Sequence, residues 1–249
     1  MPFAELSTGA ALHYSDTGGA GETVIIIHGL MGIPHKDFAQ LIAWLQSDYR
    51  VIAPSLRGYG ESTPKPRIFP YDFYQRDAKD VLAFMDALSI AKAHILGYSD
   101  GAEVALLAAG TAPERFHSVA VWGGVGYFGP AMRPVVQRYY PGAWITDEER
   151  AAHGIDNPAA FILGWVQAVK RIIDSGGDLS LSMAGSITAP LLLMLGTRDT
   201  LNPVEYGQTF VDRTPNGQLV TFDCGHPVHD QAWPQFQQAV GDFLKKSAP

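Results

Sequence analysis

A single cysteine, Cys224, excludes an internal disulfide and fits a reducing compartment, where its expected role is that of a small buried or loop residue. No run of Lys and Arg occurs and the net charge is −7, so the electrostatic footprint of a nucleic-acid or anionic-membrane partner is missing. Hydrophobic runs stay well short of the roughly 20 residues that span a bilayer, and the first residues, Met1 to Leu6, lack the charged-then-apolar pattern of a signal peptide. A cytoplasmic location is expected. Charged residues are also scarce, at 17% against 47% hydrophobic, which supplies a large core and argues against disorder. With 249 residues and no repeat, low-complexity tract or linker, one α/β domain is the expectation.

Short apolar runs alternate with helical periodicity. Phe3 to Leu6 and Ala11 to Tyr14 flank a turn and read as an antiparallel hairpin. Val24 to Ile27 is apolar at successive positions, the mark of a strand covered on both faces. A helix over Lys36 to Gln46, with Phe38, Leu41, Ile42 and Leu45 on one face, leads to a second run, Arg50 to Ala53. The rhythm continues with a helix over Asp72 to Leu88, a strand at His94 to Leu96, a helix over Gly101 to Ala109 and a strand at Val119 to Trp122. It then breaks. Residues 129–186 carry helical segments at Thr146 to His153 and Pro158 to Ile173 without a convincing strand, which suggests a helical cap inserted into a core of residues 1–128 and 187–249. The pattern resumes with a strand at Pro190 to Gly196, a helix at Pro203 to Asp212, a strand at Gln218 to Phe222 and a last helix to Lys245. Strand and helix in alternation predict an α/β fold with a mostly parallel central sheet.

The chemistry concentrates where strands end. Gly97-Tyr98-Ser99-Asp100-Gly101 lies between a strand and a helix, the setting of a nucleophile elbow, whose turn is so tight that its flanks tolerate little side chain. The bare G-x-S-x-G pattern arises by chance in roughly one chain in ten of this length at ordinary glycine frequency, so context carries the reading. A serine needs a base to take its proton, and the base needs a carboxylate to fix its tautomer. Asp199 follows the strand ending at Gly196, and His226 follows the strand ending at Phe222. Ser, Asp, His is the chain order of this arrangement. Asp199 read alone is equally a turn or capping residue. His229 competes with His226 but stands at the start of the final helix, whereas His226 follows Gly225 in the loop proper. Cys224 as a thiol nucleophile is disfavoured, two residues from the base and on no elbow. The backbone N–H of Asp100 and that of Leu30, in the loop after Ile27, are the expected oxyanion donors, and His28 reads as structural.

These residues resemble the α/β-hydrolase superfamily over essentially the whole chain, through His28-Gly29, Arg57-Gly58-Tyr59-Gly60-Glu61-Ser62, the elbow and Gly225-His226. Finer details are similar to the valacyclovir hydrolase (biphenyl hydrolase-like) family: Arg57 to Gly60, Arg76-Asp77-Ala78-Lys79-Asp80, Ser99-Asp100-Gly101, Val121-Trp122-Gly123, and His226 with His229 in one loop. The chain departs from the superfamily at Pro54-Ser55-Leu56, where an aspartate usually precedes the Arg-Gly pair. The resemblance implies a hydrolase of small carboxylic esters that needs no cofactor or metal. It also implies that Asp100 recognises the α-amino group of an amino-acid ester.

A carboxylate beside an oxyanion hole opposes the developing charge unless a substrate ammonium neutralises it, which suits that role. The competing reading is that Asp100 only complements the N-terminus of the following helix. Glu103 reads as solvent-facing or core-paired before it reads as a second pocket acid. Trp144 and Trp165, with Phe161 and Ile162, are candidates for an apolar substrate wall or for packing within the cap. The aromatic cluster Phe69, Tyr71, Phe73, Tyr74 reads as loop packing. Alternatives to the amino-acid esterase are a carbon-carbon bond hydrolase of meta-cleavage products, whose anionic dienoate Asp100 should repel, and a general esterase or perhydrolase. A non-enzymatic hydrolase-fold receptor is a further alternative. Oligomeric state is not legible.

Overall fold

The computed structural model describes residues 1–247, so the last two residues of the core segment expected over 187–249 lie outside the described residues. Eight strands form one sheet: β1 Phe3–Glu5, β2 Ala11–Asp16, β3 Thr23–Ile27, β4 Arg50–Pro54, β5 Ala93–Tyr98, β6 Phe116–Trp122, β7 Leu191–Gly196 and β8 Gly217–Phe222. Their spatial order is β1-β2-β4-β3-β5-β6-β7-β8. The hairpin pairs Ala4 with Leu12, β2 runs antiparallel to β4, and the remaining neighbours are parallel.

Period-2 alternation within the apolar strands explains why the sheet is covered twice. Ile25, Ile27, Ile95, Val119, Val121, Leu191 and Leu193 face one core, with α3 (Phe73–Ala87), α4 (Asp100–Thr111) and α8 (Val204–Val211) contributing to it. Val24, Ile26, Val51, Leu96, Ala120, Trp122, Leu192 and Met194 face the other, filled by Phe38, Leu41 and Leu45 and by Phe236, Val240, Phe243 and Leu244 of α10 (Trp233–Lys246).

The single helix expected over Lys36 to Gln46 is two, α1 Pro34–Asp37 and α2 Ala39–Leu45, broken at Phe38, whose φ of −111° and ψ of 20° leave the helical region. The break lets the Phe38 ring pack edge-on against Tyr98 and Trp122. The segment between β6 and β7 holds α5 (Arg133–Gln137), α6 (Asp147–His153) and α7 (Pro158–Asp174) and no strand among the described residues, only an isolated bridge from Tyr127 to Asp178. Thr146 and Glu149 form a capping box that starts α6, and Gly154, at φ 66°, ends it. A short α9 (Val228–Gln231), not expected from the sequence, precedes α10. No helix among the described residues is long and apolar enough to cross a membrane.

The strand order fixes where a site can form. The chain leaves β3 toward β4 on one side and leaves β5 toward β6 on the other, so the loops after β3 and β5 diverge from adjacent strands and open a crevice at their carboxyl ends.

Candidate active site

The loops bounding that crevice are His28 to Gly32 and the Gly97–Gly101 turn. Ser99 has φ 55° and ψ −121°, a backbone conformation that side-chain-bearing residues rarely hold. It persists because α4 must begin at once after β5. A Cβ at Gly97 would come within 2.4 Å of Gly101 O, and one at Gly101 within 2.3 Å of Ile27 O. Glycine at both flanks is thus a steric requirement, and α4 packs directly against the end of β3.

Ser99 Oγ donates to His226 Nε2 over 2.9 Å, and His226 Nδ1 donates to Asp199 Oδ2 over 2.7 Å. The structure therefore brings together the serine, histidine and aspartate expected from sequence, drawn from the ends of β5, β8 and β7. Asp199 is further held by the N–H of Leu201 at 2.8 Å and by Asn202 Nδ2 at 3.2 Å. Burial alone would raise its pKa; the bonds from His226, Leu201 and Asn202 outweigh burial and keep the carboxyl below its ordinary value. Asn202 also donates to Gly123 O at 2.9 Å, fastening the acid's loop to the end of β6. His229 is elsewhere: its Nδ1 accepts the Trp122 indole N–H at 2.9 Å in the buried layer behind Tyr98. Cys224 is buried with its thiol pKa raised chiefly by desolvation, and touches no nucleophilic geometry.

The backbone N–H groups of Leu30 and Asp100 make no backbone hydrogen bond among the described residues. Gly29 lies against the serine, since a Cβ there would sit 2.9 Å from Ser99 Cβ. His28 is fully buried, donates from Nδ1 to Gly29 O at 2.7 Å and accepts Leu56 N–H at Nε2 at 2.9 Å. Desolvation lowers its pKa to about 3, which keeps it neutral in the tautomer both bonds need.

Asp100 is buried beside Ser99. Tyr74 Oη donates to its Oδ1 at 2.6 Å and Trp165 Nε1 to its Oδ2 at 3.0 Å. Burial pushes its pKa up to about 6, against those two bonds and the nearby Arg67 charge, which pull it down. Tyr74 stands in the first turn of α3, inside the helix expected over Asp72 to Leu88, and it does more than the loop packing expected of its aromatic cluster: its hydroxyl serves the carboxylate, a role that nothing local in the sequence signals. Trp165 contributes a donor as well as an apolar face. Glu103 is also buried, but accepts from Val125 N at 2.8 Å and Gly126 N at 3.0 Å, so it holds the chain leaving β6 and is core-paired. Burial raises it to about 7.

Two spaces adjoin the hydrogen-bonded pair of Ser99 and His226. The inner one, lined by Ser99, Asp100, Tyr74, Trp165 and Leu201, offers only about 20 Å³, which is room for roughly one water-sized group. The outer one, about 410 Å³, is lined by His226, Asp199, Tyr139, Arg138, Arg198 and Trp144. Trp144 is 45% exposed on that rim, while Trp165 and Ile162 are buried and Phe161 packs on Tyr59 and Phe69.

Residues 22–147 match the family model of the alpha/beta hydrolase fold, and the chain belongs to that family. It is accordingly a hydrolase. Among curated proteins it is 29% identical over 245 residues to Serine hydrolase BPHL of Homo sapiens, covering 95% of this chain and 84% of that one. It is also 26% identical over 272 residues to the 2-hydroxy-6-oxononadienedioate/2-hydroxy-6-oxononatrienedioate hydrolase of Cupriavidus pinatubonensis, covering 94% of this chain and 90% of that one. Among solved structures, a hydrolase from Pseudomonas aeruginosa superposes with a TM-score of 0.77 at 26% identity, covering 98% of this chain and 97% of the other.

Proposed function

We propose that the protein is a serine hydrolase that cleaves small carboxylic esters, with α-amino-acid esters as its substrates. The observation that carries the proposal is the unbroken line from Ser99 Oγ through His226 to Asp199, next to a buried carboxylate at Asp100.

In this mechanism His226 takes the Ser99 proton as Oγ attacks the ester carbonyl, and Asp199 stabilises the imidazolium that forms. The Leu30 and Asp100 N–H groups receive the oxyanion, Asp100 N–H from the first position of α4, where the helix dipole adds to the donor. The tetrahedral adduct collapses as His226 protonates the departing alcohol. Water, deprotonated by His226, then attacks the acyl-enzyme and releases the acid and Ser99.

Asp100 would hold the substrate ammonium. An anion beside a forming anion is unfavourable by Coulomb's law, and a cation between them reverses the sign. Two of the carboxylate's roughly four acceptor positions are used by Tyr74 and Trp165, which leaves capacity for an ammonium. The inner space has the size of that group and no room for a bulky side chain, so the remainder of the substrate faces the outer space. Residues 129–186 would act as the cap that divides the two, with Trp144 on the outer wall. BPHL is named a serine hydrolase, in keeping with this reading. The carbon-carbon hydrolase relatives favour a second reading, but an anionic dienoate next to Asp100 would meet like charge. A cytoplasmic location and a small-molecule ester substrate, with no nucleic-acid or membrane partner and no cofactor, complete the proposal.

The test is covalent labelling by a fluorophosphonate together with kcat/KM for an amino-acid ester and its N-acetylated twin. Labelling should vanish in Ser99→Ala, and preference for the free amine should vanish in Asp100→Asn. Labelling that persists at another residue removes the nucleophile assignment. Equal rates on the two esters in the wild type leave a general esterase.

A further inference from the structure

The loop that presents the Leu30 N–H is held at two points, Gly29 O before it and Met31 O after it. In a trans peptide the C=O and N–H point in opposite directions, so the His28 bond to Gly29 O aims the Leu30 N–H away from His28. On the other side, Met31 O accepts from His153 Nε2 at 2.8 Å. Met31 has φ 65°, a left-handed angle held by a residue with a long side chain, a conformation that persists only when its surroundings fix it.

His153 comes from far away in the chain. It is the last residue of α6 and 2% exposed, and its Nδ1 accepts the N–H of Gly60 at 3.0 Å. One imidazole therefore ties the helical segment between β6 and β7 to the loop after β3 and to the loop after β4. Both bonds are satisfied by a single form, the neutral ring with its proton on Nε2.

We propose that His153 is a positioning residue for the oxyanion hole: by holding Met31 O it keeps Leu30 N–H aligned with Ser99, and it does so only while α6 is seated on the core. When α6 lifts, Met31 loses the donor that fixes its left-handed angle, the Leu30 peptide turns, and the hole is no longer preformed. Seating of the inserted segment and stabilisation of the oxyanion are thereby the same event.

The groups around the ring agree with a neutral clasp. The Tyr59 ring stands edge-on at 5.3 Å, Lys65 Nζ is 3.5 Å from the His153 carbonyl, and Arg67 lines the cavity alongside. Glu149 lies one turn earlier on α6, and His28 is on the core side of the loop. Burial lowers the ring's affinity for a proton most; Lys65 lowers it further, and Glu149 and the Met31 carbonyl work the other way.

The inference rests on the reading of Ser99 as nucleophile and Leu30 as oxyanion donor, and the experiment separates the two. His153→Asn places an acceptor near Gly60 N–H but is too short for Met31 O, whereas His153→Gln extends an N–H donor to the Nε2 position. Binding of a 1-aminoalkyl boronic acid, which forms a tetrahedral adduct on serine, is measured in wild type, His153→Asn, His153→Gln and Ser99→Ala. His153→Asn should weaken boronate binding and kcat in parallel by about tenfold or more, part of what deleting an oxyanion donor costs, with KM little changed. His153→Gln should restore both, at an equal thermal midpoint for the two variants. Asn and Gln variants weakened to the same degree, or an Asn variant that binds the boronate as wild type does, would overturn the positioning role. Boronate binding that survives Ser99→Ala would instead overturn the nucleophile reading beneath it.

Discussion

If Asp100 binds the substrate ammonium, the advantage of an amino-acid ester over its N-acetylated twin must follow the ionisation of both partners. At hydrogen-bond distance and an effective dielectric near 20, the gross attraction of such a pair is about 5 kcal/mol. Stripping water from the ammonium removes much of it, leaving the roughly 1.5 to 3 kcal/mol of a charged hydrogen bond, a preference of about 10- to 150-fold. Burial holds the Asp100 carboxyl at about 6. Below that pH it is protonated and the attraction is lost; above about 7.7 the substrate amine is neutral and it is lost again. The ratio of kcat/KM for the two esters should therefore rise through pH 6, peak near 7 and decline. Taking the ratio cancels every ionisation the two reactions share, the His226 base included. Steady-state rates from pH 5 to 9 on both esters suffice. A ratio that stays flat from pH 5 to 7, or that persists in Asp100→Asn, refutes the argument.

Three further outcomes can be checked. Tyr74→Phe removes a 2.6 Å donor from the charged form of Asp100, so the acid limb of the same ratio should move to higher pH by about one unit; an unmoved limb means the hydroxyl does not stabilise the carboxylate. His226→Ala should abolish ester turnover while His229→Ala retains most of it, and the reverse result in activity assays makes His229 the base. His28, neutral when folded with a pKa of about 3 against 6.5 ordinarily, binds its proton more readily in the unfolded chain. Its contribution is complete above pH 6.5 and is lost as pH falls toward 3, by up to about 5 kcal/mol. Urea unfolding of wild type and His28→Asn should then show a steeper acid loss in the wild type, and parallel curves would place the acid sensitivity elsewhere.

What the sequence made legible follows a physical division. Ser99, Asp199 and His226 stand just beyond apolar runs, and a parallel sheet carries the ends of its strands to one side, so chain order alone predicted their meeting. The steric demand at Gly97 and Gly101 is equally local. The roles of Tyr74, Asn202 and His153 are not legible in the sequence because they are set by partners brought in through packing. His153 and Met31 are 122 positions apart, and the helical periodicity of residues 146–153 says where α6 is apolar but not what its last histidine will touch. Asn202 alone left a trace, three residues after an aspartate whose carboxylate its amide reaches, a common local arrangement for Asx residues. The break at Phe38 was hidden for a different reason: its apolar spacing suits a continuous helix, and only the slot between Tyr98 and Trp122 decides otherwise.

In the proposed mechanism, the order of the strands divides the reaction's labour between places of unequal robustness. Serine and oxyanion loop grow from β5 and β3, which lie side by side in the middle of the sheet with a strand on each flank. The histidine follows β8, an edge strand, whose ladder has β7 alone as partner. Fraying starts at edges, because an edge strand has half the ladder to lose. A momentary peeling of β8 would carry the base away while the elbow stays formed, leaving a correctly shaped serine with nothing to take its proton. Activity in this enzyme should therefore be lost under mild stress before the sheet itself melts, and should return without refolding when β8 re-pairs.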